Sequence, residues 1–147
     1  MSYATQKMGE RLPIIGSIAP AAQSTGTTTT GVIDMANVRR VLFIVQTGIL
    51  GTGATVDFKV TGSATSGGSY ADVTGRALTQ IVKATGDNKI ALLEVTAEQV
   101  GAQGFRFIRG SLAVGTAASI VGVVALGDGL RMSDAGENDL AAVVEIA

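Results

Sequence analysis

From Gly31 to Gly127 the chain is cut into short β-branched and apolar runs by glycine-rich clusters, and none of the runs keeps a helical period for long. The run ATVDFKVT, Ala54 to Thr61, shows the signal at its clearest: Val56, Phe58 and Val60 alternate with Asp57 and Lys59. A period of two places the apolar set on one face of a strand. Val38 to Thr47, Lys89 to Val95, Phe105 to Val114 and Ser119 to Leu126 are further strand-like runs. Val32 to Met35, Tyr70 to Thr74 and Leu78 to Lys83 are shorter ones. The clusters at 62–69 and 85–88 read as turns. Gly48 to Ala54 is glycine-rich and reads as a long hairpin connection. Thr96, with Glu98 and Gln99 behind it and Gly101 as a stop, predicts a single helical turn. About eight or nine strands at this spacing predict an all-β, single-domain antiparallel β-sandwich, with a jelly roll as one eight-stranded form.

The ends differ from the middle. Residues 1–30 read as an extended N-terminal arm and linker, since Pro13 and Pro20 oppose helix and TGTTTTG suits a polar edge or linker. Residues 31–128 form the expected body. Residues 129–147 are an acidic tail with an apolar tip, in which Leu140, Val143 and Val144 stand at i, i+3 and i+4. That spacing suits one stripe of a short helix, and an extended end suits it equally. The tail is expected either to lock onto a neighbouring subunit or to fold back on its own domain.

Composition narrows the chemistry. The chain of 147 residues is 46% hydrophobic and only 16% charged, against about 25% charged in an ordinary globular protein. Some of its surface is therefore expected to face something other than water. The 11 basic and 12 acidic residues give a net charge of −1, with no basic field for nucleic acid. There is no Cys, His or Trp. Ser-His and Cys-His nucleophile systems and His/Cys zinc sites are thereby excluded. Gly48 to Ala54 lacks the GxGxxG spacing and leads into a strand, so it is no dinucleotide fingerprint. Asp128, Asp134, Glu137 and Asp139 do not have the spacing of a calcium loop. Neither catalytic residues nor cofactors are expected.

The first residues, MSYATQKMGERLP, contain no apolar run and read as no signal peptide. The 18 uncharged residues between Arg109 and Asp128 reach the length of a membrane span, but Gly115-Thr116-Ala117-Ala118 divides them, so two strands joined by a turn are expected. Arg39 and Arg40, with Arg106 and Arg109, are the basic pairs, expected as a solvated strand face, as ion-pair partners within the fold, or as contacts to an acidic neighbour.

Several stretches in series resemble a family of small structural proteins of tailed bacteriophages. They are VDFKV at 56–60, SGGSYADV at 66–73, LTQI at 78–81, DNK at 87–89, EVTAEQV at 94–100, FRFIR at 105–109, VVALGD at 123–128 and NDLAAVVEI at 138–146. The likeness covers roughly Ala54 to Ala147 and lies in the order of the stretches. The chain departs from the family in lacking a Tyr near Met132 or Asn138. The resemblance implies a capsid decoration, or cement, protein with a jelly-roll-like sandwich, whose partner is the major capsid protein. It would sit on the outer surface of the virion after synthesis in the host cytoplasm, as a homo-oligomer, dimer or trimer. A head–tail connector or tail component, and more remotely a carbohydrate-binding sandwich, are the alternatives. The residues expected to carry assembly contacts are Arg11, Leu12, Ile14 and Ile15 in the arm, Arg39 and Arg40 in the body, and Leu140, Val143 and Val144 in the tail.

Overall fold

A computed structural model of the chain describes residues 7–129 and 142–145. A single helical turn, α1 (Met8–Arg11), precedes strands β1 (Ile14–Gln23), β2 (Gly26–Thr29), β3 (Ile33–Asp34), β4 (Arg40–Thr47), β5 (Thr55–Ser63), β6 (Ala71–Ala77) and β7 (Ile81–Val82). The turn α2 (Lys83–Gly86), β8 (Ile90–Thr96), the turn α3 (Ala97–Gly101), β9 (Phe107–Gly115) and β10 (Ser119–Asp128) complete the order. One sheet runs β1-β10-β4-β8. The other runs β2-β9-β5-β6, with β3 added to β9 and β7 to β5. All pairings are antiparallel.

The winding follows from which strands pair. β5 pairs with β6, β4 with β8, β2 with β9 and β1 with β10. These pairs are nested about the β5–β6 turn, so the chain forms one long hairpin that is rolled up. The pairings β10–β4 and β9–β5 then join the rolled layers side by side. This is the jelly-roll form of the all-β sandwich. The longer strand runs fall where the periodicity places them; the run expected to end at Thr74 continues to Ala77 as β6, and of Leu78 to Lys83 only Ile81–Val82 is strand, with Lys83 opening α2. The connections are what the periodicity misses. Residues 48–54 join β4 in one sheet to β5 in the other, and those strands do not pair, so this is a crossing between layers and not a hairpin. Gly51 is needed there because a Cβ would stand 2.6 Å from both the Ala117 Cβ and the Ala118 carbonyl oxygen of the β9–β10 crossing.

The expected N-terminal arm over 1–30 also needs correction. From Ile14 on it is sheet: β1 lies along β10 and β2 along β9. Pro20 sits where the β1–β10 register shifts, between Ile18 and Ala21, and β1 is an edge strand, where a sheet tolerates proline.

The core lies between the inner faces. Val41, Phe43 and Val45 of β4, Val56, Phe58 and Val60 of β5, Ile108 and Leu112 of β9, and Val121, Val123 and Ala125 of β10 are all buried. Phe43 and Phe58 meet across the layers with ring centroids 5.4 Å apart and planes tilted by 57°. One end of the sandwich is tied by Asp87. Its carboxylate accepts the Leu50 N–H at 2.9 Å and pairs with Lys83 at 3.0 Å, while Lys83 also donates to the Leu50 carbonyl at 2.8 Å. The Leu50 N–H and the Lys83 ammonium hold the Asp87 carboxyl below its ordinary value.

Candidate assembly surfaces

The two sheets present different outer faces. On β5 the outward positions are Thr55, Asp57, Lys59, Thr61 and Ser63, opposite Gly115, Ala113, Ser111, Arg109 and Phe107 of β9. This face is largely polar. Lys59 pairs with Asp72 of β6 at 2.7 Å, Gln80 donates to Asp57, and Arg109 lies 4.0 Å over the Tyr70 ring.

The first sheet is the reverse. The register sets Ile14, Leu126, Leu42 and Glu94 in one outward row. The next row is Ser17, Val124, Ile44 and Leu92. Gln46 and Ile90 follow, with Ile120 at the far end. None of these side chains is in the buried core. Ile90, Leu92 and Ile120 are 61%, 59% and 46% exposed. Ionic groups collect at one end, where Arg40 is hydrogen-bonded to Asp128. Between β1, β10 and β4 the face dips into a groove of about 750 Å³, lined by Ile14, Ile44, Ile120 and Val124 and flanked by Pro20 lying on Gly122. Ala142 and Val143 of the tail also line it.

Four of the nine expected contact residues meet on this face. Leu12 sits beside Arg40, Leu42 and Leu126; Ile14 and Val143 line the groove. Arg11 ends α1 and is exposed. Ile15 is half-buried and packs against the core. Arg39 is on the rim, 3.7 Å from Glu98 in a pair whose side chains are both well exposed. Both arginines of the Arg39–Arg40 pair thus have acidic partners within the chain. Arg106 does too: Asp34 accepts from it twice, at 3.0 and 2.9 Å. Leu140 lies outside the described residues. Val143 and Val144 do not share a helical stripe. The backbone at 143–145 is not helical; Val143 is half-buried and Val144 fully exposed.

Leu42, Ile44, Ile90, Leu92, Ile120 and Val124 were missed by the sequence reading, though a signal for them exists. An antiparallel strand with one wet face alternates, as β5 does. Arg40–Thr47 and Ser119–Asp128 carry apolar residues at nearly every position instead, and Ile90–Thr96 does so as far as Leu93. In a two-layer sandwich that means a second apolar face.

Among the described residues no group of three or more acidic, His or Cys side chains is placed to hold a metal ion. None of the described helices is long and apolar enough to cross a membrane, and the uncharged stretch 110–127 forms most of β9 and β10. Compared with protein-family models and with curated proteins, the sequence matches none.

Proposed function

We infer that this is a non-enzymatic structural protein of a phage virion, which binds the outside of the capsid and cements neighbouring major capsid protein subunits around the DNA-filled head. The observation that carries the reading is the uncovered apolar strip on β8. Ile90 and Leu92 project from an edge strand beside Ile44. An apolar edge left open to water invites uncontrolled pairing, so in the working state something must cover it. A head-stabilising protein has that need built in: it acts by area and backbone pairing across a neighbour. The serial likeness of 54–147 to phage decoration proteins points the same way.

The test is the copy number of this chain in purified virions relative to the major capsid protein. A ratio near one to one, or a simple fraction of it, is expected. About a dozen copies would move the protein to the neck or tail, and absence from virions would overturn the reading.

A further inference from the structure

We propose that the groove between β1, β10 and β4 is the seat of the chain's own C-terminal tip, which lies over that part of the first sheet's outer face and leaves the β8 strip open for a partner. This inference does not depend on the virion reading; it concerns the free protein.

Three observations carry it. Ala142 and Val143 line the groove together with Ile14, Ile44, Ile120 and Val124. Of the described tip residues only Val143 is half-buried, while Ala142, Val144 and Glu145 are exposed, so Val143 is the side chain that meets the groove. The length of chain also suffices. β10 ends at Asp128, at the Arg40 end of the face, while the groove reaches to Ile120, Gly48 and Asn88 at the other end. The return along β10 from Asp128 to Ile120 is about 26 Å at strand rise. Residues 129–142 can span about 43 Å when extended, so the tip reaches its own groove with slack.

The chemistry of the two sides matches. Ile14, Ile44, Ile120 and Val124 give the groove a mainly aliphatic wall, with Gln46 and Asn88 among its polar lining, and the tip meets it with the uncharged Ala142 and Val143. Ile90 and Leu92 are not part of the groove lining. The strap therefore splits the apolar face into a part covered in cis and a part left open.

Because the chain contains no Cys, Val143→Cys gives a unique site for a nitroxide label in the full-length protein. In an isotope-enriched, spin-labelled sample diluted with unlabelled protein, the amide signals of Ile44, Ile120 and Val124 should broaden, while those of Thr61 and Arg109 on the opposite sheet should not. A mixture of spin-labelled chains and isotope-enriched unlabelled chains separates the alternatives. Broadening in that mixture alone would put the tip in a second copy's groove and overturn the proposal. No broadening in either sample would overturn it as well. As an independent readout, removing residues 140–147 should raise the fluorescence of a hydrophobic-surface dye several-fold. An unchanged signal would mean that the tip covers nothing.

Discussion

Phe43 and Phe58 can meet at 5.4 Å because the third strand beside them carries no side chain at the crossing point. A Cβ on Gly110 would stand 2.5 Å from the tip of the Phe58 ring and 3.1 Å from Phe43. Gly110 also exchanges hydrogen bonds with Thr30: its N–H donates to the Thr30 hydroxyl and its carbonyl accepts the Thr30 N–H, both at 2.9 Å. Phe58→Ala should cost about 3–5 kcal/mol of unfolding free energy, from lost transfer and a residual cavity. Gly110→Val should destabilise by overpacking, about 1–3 kcal/mol. Urea or thermal denaturation checks both. At Asp34 the hydrogen bond from Arg106 holds the carboxyl below its ordinary value, with the Ala36 N–H assisting. A carboxyl whose folded pKa is depressed contributes stability above its unfolded value, near pH 4, and loses that contribution as pH falls through the folded one. Asp34→Asn should therefore weaken the protein at neutral pH, and the gap to the parent should close below about pH 4. A gap that stays constant with pH would show that the Asp34 charge contributes nothing.

At the scale of elements, α3 is the piece whose local sequence agrees most closely with its structure. Thr96 accepts the Gln99 N–H at 3.2 Å, and Gln99 accepts the Thr96 N–H at 3.1 Å. This reciprocal cap stops β8 and starts a five-residue helix that buries Val100. Thr96→Ala should cost about 1 kcal/mol, measurable as a shift in the denaturation midpoint. β8 itself carries the functional prediction. Leu92→Asp replaces an exposed side chain, so folding stability should move by no more than about 0.5 kcal/mol. On the proposed function, its binding to phage heads that lack this chain should fall about tenfold, or about 1.4 kcal/mol. Full binding by a folded Leu92→Asp variant would remove β8 from the interface. The ion pairs around the rim, such as Arg39–Glu98, are too exposed to contribute much either way.

At the scale of the whole molecule, one hairpin rolled about the β5–β6 turn gives two layers with unlike outer faces, and this asymmetry is what the proposed function uses. Much of it was legible. The alternation of Val56, Phe58 and Val60 marks β5 and its polar outer side, and the turn clusters delimit the strands. The unbroken apolar runs of β4 and β10 mark strands with two dry faces. Strand pairing was not legible, because the strands are short and several of them, β4, β8 and β10 above all, are apolar enough to pair with more than one other. The expected contact residues show the same limit. Leu12, Ile14 and Val143 come from the two ends of the chain and meet on one face only because β1 pairs with β10. Ile15, adjacent in sequence to Ile14, packs half-buried against the core instead. Composition and periodicity thus determined the all-β class, the strand runs and the absence of His and Cys chemistry, since these depend on residues near one another in the chain. Tertiary structure alone decided which strands share a layer, and with that which apolar face has no second layer to cover it, because that depends on pairings between residues up to about a hundred positions apart.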